Sequence, residues 1–130
     1  MNSPVIRETH IDNLELIGRG KVRDIYAIDD EHMLIITTDR LSAFDVVFDQ
    51  GIPDKGRLLT EVSNFWFARC GDIVKNHLTD LNLQDYLSAD DYQLLKSRSI
   101  IVRRLKTLPV EAIVRGYVIG SGWKDYQATG

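Results

Sequence analysis

The sequence predicts an α+β fold: a mainly antiparallel sheet with a glycine-rich hairpin and one or two packed helices. Three observations predict it. Short β-prone runs crowd the first fifty residues and are parted by turn formers, not by helical stretches. One long segment, from Gly56 to Gly71, carries apolar residues near the helical period. After Arg98 the chain returns to β-branched residues, in two stretches parted by Pro109, which cannot donate to a sheet ladder.

Taken in order, "LELIG" and "VRDIYAI" read as the arms of a hairpin or meander between Leu14 and Leu34, with Asp29, Asp30 and Glu31 as a charged turn. "HMLIITTD" is the next strand, β-branched from Ile35 to Thr38. "RLSAFDVVFDQGIPDKG" is broken by Gly51, Pro53 and Gly56 and reads as short strand pieces joined by loops. In "GRLLTEVSNFWFARCG" the residues Leu58, Leu59, Val62, Phe65, Trp66 and Cys70 form the expected core face of a helix that stops at Gly71. "DLNLQDYLSADDYQLLKS" suggests a helical turn and a loop. "SIIVRRL" and "VEAIVRGYVIG" are read as strands, and "SGWKDYQATG" as the start of a helix capped by Ser121.

With 130 residues the chain is long enough for one modest domain with a core. Its 16 basic and 19 acidic residues leave a net charge of −3, so no global electrostatic footprint for nucleic acid or an anionic membrane is present. Anion binding must therefore come from locally focused cations. The lone Cys70 reads as a buried small hydrophobe, and His10, His32 and His77 lack metal-ligand spacing. The amino terminus has no signal-peptide pattern, and no apolar run approaches the ~20 residues of a membrane helix. A soluble, cytoplasmic protein is the expectation.

Three stretches carry candidate chemistry. In "LIGRGKVRDIY", Gly18 and Gly20 allow a tight turn and close approach of backbone N–H groups to an anion. It is neither a Walker A loop nor a dinucleotide fingerprint, and it is closer to a glycine-rich hairpin that covers nucleotide phosphates. On a strand, Lys21 and Arg23 would share a face roughly 6–7 Å apart. The other reading is a solvated strand face. In "TTDRLSAFDVV", Asp39, Arg40, Ser42 and Asp45 crowd a short segment after a buried-looking strand, fit either for binding or for turn chemistry. In "LPVEAIVRGYVIGSGW", a strand would place Glu111, Ile113, Arg115 and Tyr117 on one face, with Arg115 a natural phosphate clamp and Ser121 at a helix N-terminus.

Together these stretches resemble the SAICAR synthetase family. "RGKVRDIY", "TTDRLSAFD", "IPDKGRLLTEVSNFWF" and "LPVEAIVRGYVIGS" match in the expected order, from about Leu14 to Gly130. The resemblance implies the nucleotide-binding, kinase-like N-lobe of an ATP-dependent carbon–nitrogen ligase of purine biosynthesis. Such an enzyme joins the carboxylate of carboxyaminoimidazole ribonucleotide (CAIR) to L-aspartate, with ATP and Mg²⁺. It further implies that Gly18, Gly20, Lys21 and Arg23 cover the ATP phosphates, and that Leu108 and Glu111 lie at the nucleotide hinge. By the same resemblance, Ser42 and Asp45 would lie near the imidazole substrate, and Arg115 and Ser121 would clamp its 5′-phosphate. Arg40 and Lys55 are candidate site residues without a defined role. Residues 1–108 would form the first lobe, and 109–130 the hinge and start of a second. The family's later Asp-x-Lys and Glu-Phe-Gly signature, implied source of the metal ligands, is absent here, so no metal ligand is expected in this chain and the chain alone is expected to be inactive. A phosphotransferase lobe acting on another acceptor and a non-catalytic nucleotide-binding module remain alternatives.

Overall fold

The computed structural model describes residues 4–130. Four strands form an antiparallel sheet in the order β1-β2-β3-β6: β1 (Leu16–Arg19), β2 (Arg23–Ala27), β3 (His32–Thr37) and β6 (Ser99–Arg103). β4 (Arg40–Ala43) and β5 (Val46–Gly51) form a separate hairpin. The helices are α1 (Lys55–Arg69), α2 (Ala89–Leu95), preceded by a 3₁₀ turn at Leu83–Asp85, and α3 (Ser121–Thr129). The expected α+β class and antiparallel pairing are both present.

The turn between β2 and β3 shows why the charged residues sit there. The Asp29 carboxylate accepts from the backbone N–H groups of Glu31 at 2.8 Å and His32 at 2.7 Å, closing a side-chain-stabilised turn. Register then sets the two faces of the sheet. Asp24 and Tyr26 lie opposite Ile36 and Leu34, and Leu34 lies opposite Ile101. That face buries Tyr26, Leu34, Ile36 and Ile101 against Ile6, Ile11, Leu87 and Leu95. The segment around α2, read from the sequence as a helical turn and a loop, closes the main core through Leu87 and Leu95. The opposite face carries Arg23, Ile35 and Thr37 toward α1.

Three expectations fail here. The apolar stripe of α1 does not face the core: Leu58, Leu59, Val62, Phe65 and Trp66 are each at least half exposed, and Cys70 is half-buried. The helix packs instead through Gly56 and Thr60, its buried residues. A Cβ on Gly56 would lie 2.2 Å from the Thr37 carbonyl oxygen, so a helix this close to β3 requires glycine there. The stretch "VEAIVRGYVIG" is not a strand: residues 105–119 hold no regular element and pair with no sheet edge. β-Branched composition favours a strand only where a partner supplies ladder bonds. Finally, the N-cap of α3 is Gly120, and Ser121 is its first helical residue.

Candidate functional site

Two buried ion pairs organise the region around the glycine-rich hairpin. Asp39 and Arg40 are adjacent, and each is the centre of one. The Asp39 carboxylate accepts from Arg98 Nη1 at 2.8 Å, from the Gly56 N–H at 2.9 Å and from the Ile6 N–H at 2.8 Å. It thus pins the start of α1 and the amino-terminal segment to the end of β3. Asp24 accepts from Arg40 Nη2 at 2.8 Å, from Arg19 Nε at 3.2 Å and from both the N–H and hydroxyl of Thr9 at 2.9 Å. Burial alone pushes the Asp24 carboxyl up, but the Arg40 guanidinium and the two Thr9 donors outweigh it, and the group is held below the usual carboxylate range. Asp39 and Arg40 are therefore scaffold residues that look like site residues in the sequence.

Arg40 also reaches the hairpin itself. Its Nε donates to the Lys21 carbonyl at 3.0 Å and its Nη2 to the Gly20 carbonyl at 2.9 Å. Within the turn the Gly20 N–H donates to the Arg23 carbonyl at 2.8 Å. Neither Gly18 nor Gly20 has a positive φ, and a Cβ on either would meet nothing closer than 3.6 Å. Packing does not demand these glycines: a Cβ would stand at ordinary contact distance, 3.9 Å from Ile25 for Gly18 and 3.6 Å from the Arg23 carbonyl for Gly20.

Lys21 and Arg23 do not share a strand face, because Lys21 lies in the turn and β2 begins at Arg23. Lys21 Nζ forms an ion pair with the Asp45 carboxylate, and that contact holds the Asp45 carboxyl below its ordinary range. Asp45 is presented by a two-residue turn, Phe44–Asp45, in which both residues have positive φ, 49° and 65°. The glycine-rich hairpin and the β4–β5 hairpin thus meet tip to tip. Arg23 lines a cavity of about 330 Å³ between the sheet and α1, with Thr37, Asn64, Phe67 and His77. Burial first, then the charges of Arg103 and Arg23, lower the His77 imidazole pKa below its ordinary value. Ser42 sits in β4, half-buried and opposite Val47. Lys55 is the first residue of α1.

The remaining candidates form a second group. Glu111, Arg115 and Ser121 line one concavity of about 600 Å³ with Tyr117, Asp125 and Tyr126. A Cβ on Gly120 would lie 3.3 Å from Arg115 Nη1, so the guanidinium stands beside the N-terminus of α3. Gly120 has φ +61° and ψ −129°, a conformation open essentially to glycine alone. Leu108 is exposed and touches neither cavity. Among the described residues, no hydrogen bond joins 105–130 to the sheet; the last such links are from Arg104 to the carbonyls of Glu31 and Asp29.

The sequence profile of the SAICAR synthetase family matches residues 16–129. The chain belongs to the SAICAR synthetase family. It is 58% identical over 130 residues to phosphoribosylaminoimidazole-succinocarboxamide synthase of Azoarcus sp. strain BH72, a match that takes in all of this chain and 42% of that protein. A solved SAICAR synthase superposes with a TM-score of 0.86 at 45% identity, covering 96% of this chain and 45% of that one. The Saccharomyces cerevisiae SAICAR synthase, solved as a complex with SAICAR, superposes with a TM-score of 0.85 at 45% identity, again covering 96% of this chain and 45% of that one. The chain thus spans less than half the length of the relatives it matches.

Seen as part of a SAICAR synthetase, the hairpin has supports that its own motif does not reveal. Arg40 and Thr38 hold it from 16 to 20 residues away along the chain. A motif scan cannot register such pairing; the only signal is two buried-type positions occupied by a hydroxyl and a guanidinium. The described residues contain no cluster of three or more His, Cys, Asp or Glu side chains fit to hold a metal ion.

Proposed function

We propose that this chain supplies the ATP-phosphate loop and part of the ribonucleotide site of an ATP-dependent carbon–nitrogen ligase of purine biosynthesis. The reaction joins the CAIR carboxylate to the amine of L-aspartate. The observation that carries this reading is the family match across residues 16–129, which takes in all three candidate stretches. A carboxylate is a poor electrophile until one oxygen becomes a leaving group. In the proposed course, a CAIR carboxylate oxygen attacks the γ-phosphorus of ATP and ADP departs. The aspartate nitrogen then attacks the acyl carbon, loses a proton and expels inorganic phosphate. Most of the work is positioning and charge neutralisation.

The proposed roles follow. Gly18, Gly20, Lys21 and Arg23 cover the ATP phosphates. The Lys21–Asp45 ion pair is exposed, and such pairs contribute little, so a polyphosphate can take Lys21 over. Asp45 and Ser42 face the imidazole substrate. Arg115, beside the N-terminus of α3 with Ser121, takes the 5′-phosphate, since a guanidinium and free helix N–H groups both favour an anion. Leu108 and Glu111 form the nucleotide hinge, so that residues 1–108 are one lobe and 109–130 open a second. Magnesium enters with the nucleotide or on residues outside this chain. Among the described residues no helix is long and apolar enough to cross a membrane, and a reaction on ATP and small polar metabolites fits the cytoplasm.

The chain alone is expected to be inactive. A coupled ADP-release assay with CAIR, L-aspartate, ATP and Mg²⁺ tests this: the 130-residue chain gives no turnover, and turnover would refute the inactivity. In a full-length relative, Arg115→Ala at the equivalent position raises KM for the ribonucleotide and leaves KM for ATP unchanged. A rise for ATP alone would favour a phosphotransferase acting on another acceptor.

A further inference from the structure

We infer that Arg40 and Thr38 are positioning residues that turn the glycine-rich hairpin into an anion cradle of two backbone N–H groups, those of Lys21 and Val22. This rests on the reading of the hairpin as the phosphate loop and says how the loop is made ready.

The carbonyls of three consecutive residues are held from one side. Arg40 Nη2 donates to the Gly20 carbonyl at 2.9 Å and Arg40 Nε to the Lys21 carbonyl at 3.0 Å. The Val22 carbonyl accepts from the Thr38 N–H at 2.9 Å and from Thr38 Oγ1 at 2.8 Å. In a trans peptide the C=O and the following N–H point in opposite directions, and the described chain has no cis bonds. Fixing the Gly20 and Lys21 carbonyls onto Arg40 therefore aims the Lys21 and Val22 N–H groups away from it. Among the described residues neither of these N–H groups donates a hydrogen bond. Adjacent outward N–H groups form the kind of concavity that takes a phosphate oxygen.

The holders are themselves fixed. Thr38 is fully buried and Arg40 nearly so. Arg40 is anchored by the Asp24 carboxylate and by the Arg7 carbonyl. Only a guanidinium offers two parallel donors, Nε and Nη2, to two neighbouring carbonyls; a lysine ammonium carries the charge without the fork. Gly20 carries no side chain beside these N–H groups; a Cβ there would stand 3.6 Å from the Arg23 carbonyl.

The test is titration of the ¹⁵N-labelled chain with inorganic tripolyphosphate, reading each backbone amide. In the unaltered chain the Lys21 and Val22 signals move most. In Arg40→Lys, with the β2–β3–β6 signals unchanged, affinity falls about tenfold or more, as loss of charge-assisted hydrogen bonds requires, and the two amides no longer respond. Thr38→Val gives a smaller loss and Thr38→Ser restores binding, which decides the matter if Arg40→Lys fails to fold. If Arg40→Lys and Thr38→Val bind as the unaltered chain does, with the same amide response, the positioning role is wrong and the phosphate loop stands. If tripolyphosphate moves neither amide in the unaltered chain, the phosphate loop itself is wrong and the cradle goes with it.

Discussion

The Gly20–Arg23 turn and the 105–120 segment carry similar sequence signals, glycines and cations among β-branched residues, yet the fold treats them in opposite ways. The turn is held by a buried guanidinium and a buried threonine. The later segment makes no hydrogen bond to the sheet among the described residues, and its apolar side chains are exposed. The difference teaches that the shape of such a stretch is set by what lies behind it, not by its own motif. For the turn, that support is Asp24, Thr38 and Arg40; for Arg115, only Gly120 and the start of α3 are at hand.

The comparison can be broken first at the support. Asp39→Ala leaves the buried Arg98 guanidinium unpaired and frees the start of α1; it should cost about 4 kcal/mol of unfolding free energy, read from urea denaturation. Gly56→Ala drives a Cβ to within 2.2 Å of the Thr37 carbonyl and should cost about 2 kcal/mol or more, seen as a lower midpoint with an unchanged slope. Both leave the 105–120 segment untouched.

Titration sharpens the same contrast. The folded pKa of Asp24 lies below its reference value of 3.8, so the unfolded chain binds the proton more readily. Its stabilisation is complete above that value and is lost as pH falls through the folded pKa. His77 also has a lowered folded pKa, against a reference of 6.5. Its neutral form is favoured on folding, so stability declines as pH drops below about 6.5, and His77→Phe should remove that decline. Denaturation midpoints at pH 7.5, 5.5 and 3.5 measure both steps.

Smaller effects follow. Phe44 has φ 49° and is fully exposed at the hairpin tip, so Phe44→Gly should stabilise by about 1 kcal/mol by relieving a left-handed backbone. Arg115→Ala should change stability by less than about 0.5 kcal/mol, as for an exposed surface position.

The sheet was legible because β-branched runs, turn residues and the Asp29 turn agree at every level. The helical period of α1 was legible too, but its packed face was not. That face is Gly56 and Thr60, and the apolar stripe that normally marks a core points outward. The strand reading of 110–119 followed composition, which is silent about whether a neighbour offers ladder bonds. At the site, Lys21, Arg23 and Asp45 stood out by type and spacing. Arg40 and Thr38 did not acquire a role, because their work depends on contacts 16 to 20 residues distant.

The most direct measurement is calorimetric titration of the 130-residue chain with ATP and, separately, with CAIR. The proposed phosphate loop, held from behind, and the proposed 5′-phosphate clamp, not tied to the sheet, predict measurable ATP binding that Lys21→Ala and Arg40→Lys both weaken, and no measurable CAIR binding. Tight CAIR binding in the absence of any ATP binding would contradict this division of the site.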